Sequence, residues 1–239
     1  MSTTRTMAVK VATPDGGGSD EVHLIEEHPL SVLVDGVPMF RALRTPRDEN
    51  AQAAGLCLAG GLVDSPSDIE GIFRHQDDPH TVDVKLARPA PDPAPGPAPV
   101  TRDVTVPCSR ALACADDLAG RQHLHMETRS AHAATIYDGD VEVLTWAEDV
   151  GRHNAMDKAI GKVFLDDSLN LAVIVQLTCR MNREVIRKCA RAGIPLLLSV
   201  SRPTAGAVDM AEELGITMAC HDRKGGLLVF THPRRISPG

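Results

Sequence analysis

Along this chain the period of apolar and polar positions changes, and each change marks an element. The first twenty residues, with "PDGGGSD" at 14–20, are polar and glycine-rich and show no period. They predict a disordered N-terminus. Apolar residues gather from Val22 onward. "LSVLVDGVPMFRAL" sets Asp35-Gly36 between two apolar runs, which is the turn chemistry of a tight β-hairpin. A helix is predicted from about Asp48 to Leu62, because Asp48 can cap it and Ala54, Leu58 and Leu62 recur four apart on one face. "TVDVKLA" at 81–87 alternates as a strand does. Residues 88–99 then place six prolines in twelve positions, which permits neither helix nor ladder and predicts an extended spacer. These breaks divide the chain into 1–20, a small N-terminal α+β domain at 21–87, a proline-rich linker at 88–100 and a second domain at 101–239.

In the second domain "AATIYDGDVEVLTW" (133–146) repeats the hairpin signal with Asp138-Gly139. A helix follows over about Asn154 to Phe164, with Met156, Ile160 and Phe164 four apart on its buried side. After it, apolar strands at 171–177, 194–200 and 216–219 alternate with helices at 183–192 and 205–214, and a last hairpin closes the chain. Apolar strands separated by short helices imply a parallel sheet covered on its faces, so this domain reads as α/β and the whole chain as α+β.

Composition adds a solubility class and a charge asymmetry. The chain has 239 residues, is 43% hydrophobic and carries net charge −7. Its start has no apolar run of the signal-peptide kind, and no window approaches the roughly 18 apolar residues of a membrane span, so the expectation is a cytoplasmic protein without a membrane partner. Six cysteines at irregular spacing do not form a disulfide framework. Residues 179–239 hold ten Lys and Arg against five Asp and Glu. A basic quarter on an acidic protein disfavours nucleic-acid binding, which wants a broad positive footprint, but suits a local anionic ligand such as a diphosphate.

Candidate chemistry gathers where such sheets hold ligands, at the carboxyl ends of strands facing helix N-termini. "AEDVGRHN" ends the second hairpin, "TCRMNRE" (178–184) follows one strand and "SRPT" (201–204) follows the next. Together they bring Arg152, Arg180, Arg183 and Arg202 towards one rim. The stretch "EDVGRHNAMDKAIG" (148–161) is the most unusual. Asn154 as an N-cap with Asp157 in a capping box would account for part of it, and Glu148 and Asp149 would favour the helix dipole. Capping does not account for Arg152-His153, two groups that the dipole opposes. The turn "HDRKGG", His221, Asp222, Arg223, Lys224, Gly225 and Gly226, adds charge and two glycines that let backbone approach a ligand.

With these residues assembled, the chain resembles the formate dehydrogenase accessory sulfurtransferases. The resemblance rests on "RTPRDENAQAAGLCLAGGLV" (44–63), "HAA" (132–134), "EDVGRHNAMDKAIG", Arg180 with Glu184, "SRPT" and "THPRRI". It implies a cytoplasmic homodimer with a cytidine-deaminase-like α/β domain behind a smaller N-terminal domain. It also implies transfer of persulfide sulfur from a cysteine desulfurase to the bis-molybdopterin guanine dinucleotide cofactor, for the catalytic subunit of formate dehydrogenase. Carried over by residue, Glu148, Asp149, Arg152, His153, Asn154, Arg180 and the turn 221–226 would belong to the cofactor pocket.

The chain departs from that family at the sulfur carrier. Where the family has Cys-Gly-x-Cys-Gly, this sequence has "PCSRALAC", with Cys108 and Cys114 separated by five residues and no glycine. The segment from there to His132 is short, and Arg129-Ser130 stands where the family has Gly-Gly. A persulfide relay needs an exposed thiolate on a mobile loop. Cys108, with Arg110 to favour its thiolate, and Cys114 are the candidates, and a helix over 108–114 would point them about 120° apart. The second functional class is a cofactor-binding chaperone that kept the pocket and lost the relay. A zinc deaminase is disfavoured because His132 is followed by Ala133-Ala134 rather than His-x-Glu. A zinc site from Cys108, Cys114, His123 and His125 has no familiar spacing, and no metal is expected.

Overall fold

The computed structural model describes residues 2–92, 94, 96–222 and 224–238. Strands β1 (Thr4–Thr13) and β2 (Gly16–Ile25) pair as an antiparallel ribbon, in place of the disorder expected for residues 1–20. The reason is local. The glycines cluster at the turn, and Met7, Val9 and Val11 alternate along one face with Val22 opposite Met7.

Strands β3 (His28–Val34) and β4 (Val37–Arg44) form the predicted hairpin, with Asp35 and Gly36 at φ 51° and 79°. Helix α1 (Glu49–Gly60) follows, then β5 (Ile69–Arg74) and β6 (Thr81–Leu86). The four strands lie in the order β4-β3-β6-β5, with β3 and β6 parallel. Asp48 occupies the N-cap position of α1 but makes no capping bond; its carboxylate pairs with Lys162 at 2.8 Å.

After the proline-rich spacer come β7 (Val106–Pro107), α2 (Cys108–Arg121) and α3 (His123–Thr128). Both helices escaped the sequence reading, although Ala111, Cys114 and Leu118 form a buried stripe at helical spacing on α2. Then follow β8 (His132–Tyr137), β9 (Val143–Asp149), α4 (Arg152–Leu165), β10 (Ile174–Leu177), α5 (Arg183–Arg191) and β11 (Leu196–Ser199). The chain ends with α6 (Ala205–Glu213), β12 (Thr217–His221), β13 (Leu227–Val229) and β14 (Ile236–Ser237).

The large sheet runs β13-β12-β11-β10-β8-β9. Its middle strands β10, β11 and β12 are parallel as expected, whereas β8 and β13 pair antiparallel to their neighbours. Because β8 reverses between β9 and β10, β9 ends at the same edge as β10, β11 and β12. One hydrophobic core runs from the small sheet through α1 and α4 to the large sheet, so the two predicted domains share an interior. At the crossing of α1 and α4, a Cβ on Gly161 would overlap the Ala51 carbonyl, and one on Gly55 the Asp157 carbonyl. Only glycine lets the helices approach this closely. Among the described residues no helix is long and apolar enough to cross a membrane.

Candidate functional site

Four loops meet at the carboxyl edge of the large sheet, and they divide into a closed half and an open half. The closed half holds much of the 148–161 stretch. Asp149 is fully buried: one oxygen accepts from Gly151 N (2.7 Å) and Asn154 Nδ2 (2.9 Å), and the other accepts from Thr45 N (3.1 Å) and Lys158 Nζ. Lys158 also donates to the Thr45 carbonyl at 2.8 Å, and Asn154 to the Leu43 carbonyl at 2.7 Å. These contacts tie α4 to the small sheet. Asn154 is therefore inside the helix rather than its cap, a position taken by Gly151. Glu148 accepts from the backbone N–H groups of Leu124 (2.8 Å) and His125 (2.9 Å), and so secures the start of α3. Three of the residues expected in a cofactor pocket thus have protein partners.

Arg152 and His153 open α4 on the side facing β10. Arg152 is exposed, and its charge is felt by His132, His153 and Cys179. His153 Nε2 lies 3.3 Å from Glu184 Oε2 and 3.4 Å from Asn182 Nδ2. Burial pushes the His153 pKa down, opposed by the Glu184 carboxylate. Behind it, Lys188 reaches Glu184 at 3.5 Å and Asp157 at 2.7 Å. The Asp157 carboxyl is raised to about 6, since burial outweighs the Lys188 ammonium.

The open half is a cavity of about 560 Å³ lined by Arg180, Val200, Ser201, Arg202, His221, Asp222 and Leu228. Arg180 follows β10, Ser201 and Arg202 follow β11, and His221 and Asp222 end β12. Each parallel strand therefore delivers polar groups to one hollow. Helices α5 and α6 begin a few residues beyond these loops, and the Asn182 side chain caps α5 by accepting from Val185 N. His221 Nε2 is 3.4 Å from Gln176 Oε1, and burial lowers its pKa, favouring the neutral ring. Lys224, Gly225 and Gly226 shape the β12–β13 turn rather than the cavity: Asp222 N donates to Gly226 O, and Gly225 N to Asp222 O. Arg223 lies outside the described residues. Sequence reasoning missed Val200 and Leu228; Val200, an exposed apolar residue just past a buried strand, was the available signal.

A larger cavity, about 730 Å³, opens along β9 between Trp146 and α2. Its cations are already engaged. Arg121 forms two bonds to Asp117 (2.8 and 2.9 Å), and Lys162 pairs with Asp48. The carboxyl-edge cavity instead brings two arginines, Arg180 and Arg202, to one wall.

The two candidate thiols stand elsewhere. Cys108 opens α2 and is half-buried, beside β7, which pairs with β14 at the amino edge of the sheet. Arg110 reaches the Asp140 carbonyl at 2.6 Å, in the loop at that same edge, and so turns away from the thiol. The span of β10 to β12, roughly 15 Å, separates Cys108 from the arginine cavity. Cys114 is buried against Tyr137, and burial pushes its thiol up to about 12. It lies in the wall of the larger cavity, but a buried thiol that holds its proton is a poor nucleophile.

Comparison with known proteins matches residues 90–237 to the model of the FdhD/NarQ family. The chain belongs to that family. The sulfur carrier protein FdhD of Bordetella bronchiseptica is 30% identical over 247 residues, covering 92% of this chain and 89% of that protein. Its counterpart in Saccharolobus solfataricus is 29% identical over 214 residues, covering 81% and 82%. The crystal structure of a proposed formate dehydrogenase accessory protein from Desulfotalea psychrophila superposes with a TM-score of 0.87 at 23% identity, covering 99% of this chain and all of that one, and shares the fold.

Proposed function

We propose that this chain is an accessory sulfur carrier for formate dehydrogenase maturation. It would take persulfide sulfur from a cysteine desulfurase and deliver it to the bis-molybdopterin guanine dinucleotide cofactor destined for the formate dehydrogenase catalytic subunit. The observation that carries this reading is the cavity formed by Arg180, Ser201, Arg202 and His221 in a chain whose relatives are named sulfur carriers. Two guanidiniums, a hydroxyl and an imidazole lining one hollow suit the diphosphate of such a cofactor. The setting would be cytoplasmic and the working form a homodimer.

In the relay Cys108 is the carrier. Its thiolate attacks the outer sulfur of the donor persulfide, the S–S bond of the donor breaks, and the donor cysteine departs as a thiolate. The proton of Cys108 passes to solvent, and no electron is gained or lost. Because Cys108 sits at the edge opposite the arginine cavity, delivery requires the start of α2 to move or the sulfur to travel through the protein.

That separation favours one second reading, a cofactor-holding chaperone without sulfur transfer. The two part company in one experiment. The protein is incubated with a cysteine desulfurase and cysteine, analysed by mass spectrometry, and titrated with guanosine diphosphate in parallel. An adduct of about 32 Da on Cys108, absent in Cys108→Ala, is the result expected of the carrier. Nucleotide binding without any adduct leaves the chaperone, and loss of binding in neither Arg180→Ala nor Arg202→Ala removes the pocket from both readings.

A further inference from the structure

The stretch "RTPRDEN" (44–50) turns from β4 into α1 beside a cavity of about 600 Å³ that shares no wall residue with the one at the carboxyl edge. Its wall includes Arg47, Asp48, Glu49, Arg74 and His75. Both carboxylates are matched by cations. Asp48 pairs with Lys162 at 2.8 Å, and Glu49 accepts from Arg74 at 2.8 Å and lies 2.9 Å from the Arg44 guanidinium. Asp78, next to Pro79 of the wall, is turned to the Thr81 hydroxyl and the His80 N–H. Arg44 is fully buried behind Glu49, and no nitrogen of its guanidinium has a hydrogen-bond partner among the described residues. Arg47 is exposed, and among the described residues it forms no ion pair. Its backbone is costly. Arg47 has φ 146° and Asp48 φ 59°, two consecutive residues in the region that favours glycine, and such a conformation persists only where the surroundings impose it.

We propose that Arg47 and Arg74 hold the phosphate group of a small molecule at the start of α1, in a second anion site independent of the carboxyl-edge cavity. Arg47 offers its whole fork, which matches the paired oxygens of a phosphate. Arg74, at the end of β5, is bonded to Glu49 through Nη2 and to Asn50 through Nε, and it offers Nη1. Four cations, Arg44, Arg47, Arg74 and Lys162, stand against two carboxylates around this hollow. A positive balance therefore remains after each acid is paired, and a dianion offsets it more fully than a monoanion does. The side chain of Asp48 goes to Lys162, so α1 begins without a side-chain cap and its first-turn amides lie beside the same hollow. An arginine at a position suited to glycine then has a use that packing does not supply. Glycine there would fold with less strain but would leave no guanidinium.

The test is titration of the full chain and of Arg47→Gly with inorganic phosphate, phenyl phosphate and acetate at constant ionic strength, followed through the backbone amide resonances of Asn50 and Ala51. In the parent both phosphates are expected to shift these amides saturably, and at least about tenfold more tightly than acetate. The tighter of the two names the source, free phosphate or an organic ester. Arg47→Gly should weaken phosphate binding at least about tenfold, because a charge-assisted fork is lost. The same variant should melt no lower than the parent, because glycine takes a φ of 146° without strain. Undiminished affinity in the variant overturns the assignment, as does an equal response of the parent to acetate. Shifts confined to Ser201 and Arg202 would put the phosphate in the carboxyl-edge cavity alone and also overturn it. Weaker binding joined to a lower melting temperature does the same, since Arg47 would then hold the loop and not the ligand.

Discussion

Asp149 and Asp222 stand at the carboxyl ends of strands in one sheet, and the same loop-and-helix grammar surrounds both. Asp149 is held by four donors from the protein and excludes solvent. Asp222 is half-buried in the wall of an open cavity that also holds Arg180 and Arg202. In the first region opposite charges satisfy one another and join α4 to the small sheet. In the second they face an empty volume. The difference teaches that a dense polar stretch signals function only if its charges lack partners within the fold, because a buried and fully bonded carboxylate has nothing left to offer a ligand.

The largest expected contrast comes from breaking one member of each region. Removing one partner of a buried ion pair leaves an uncompensated charge and costs about 3–5 kcal/mol. Asp149→Ala should therefore lower stability by that order in chemical denaturation. Arg180→Ala, at an exposed side chain, should stay within about 0.5 kcal/mol of the parent. Comparable losses in both variants would erase the division between a structural and an open half.

Next in size is the helix crossing that the closed region supports. Alanine is favoured over glycine inside a helix by about 1 kcal/mol. At Gly161 the added Cβ would meet the backbone of Ala51, which cannot rotate away, and overpacking of a tight core costs typically about 1–3 kcal/mol or more. Gly161→Ala should thus be net destabilising in a thermal melt. A stabilised variant would mean that α1 and α4 do not cross so closely.

Much of the fold was legible because period and turn chemistry agreed. Asp35-Gly36 named its hairpin, and the β10–α5–β11–α6–β12 succession followed from apolar runs separated by amphipathic ones. The first hairpin was hidden because its glycines suggested disorder, while its pairing depends on alternation across a turn. Helix α2 was hidden because two of the three residues in its buried stripe are alanine and cysteine, of weak apolar signal, and α3 because it buries only Thr128. At the site, Arg180 was read from its place after a strand and from the family resemblance, and His221 and Asp222 from a charged turn with two glycines and that same resemblance. The role of "EDVGRHNAMDKAIG" was not, because Asp149 and Lys158 are nine apart and their meeting depends on how a strand end faces a helix. Residue type announced an acid and a base; only the fold shows that they bind each other.

The smallest expected effect sharpens the comparison by following one proton. Asp157, at the back of the closed half, has its pKa raised from 3.8 to about 6 by burial, against the pull of Lys188. A carboxyl that holds its proton more tightly when folded contributes stability that is complete below about pH 4 and is lost as pH rises through about 6. His132, His153 and His221 act in the other direction. Burial lowers their pKa values below the usual 6.5, so the stability they contribute is lost as pH falls through that range. The parent's pH profile mixes the two signs, and the difference between parent and Asp157→Asn separates them. Urea denaturation from pH 4 to 7 should show the parent's advantage over the variant shrinking steadily as pH rises, with the histidine contribution common to both. A difference that instead grows with pH would mean that Lys188 outweighs burial at Asp157, and that the closed half is held by ion pairing more than by the exclusion of water.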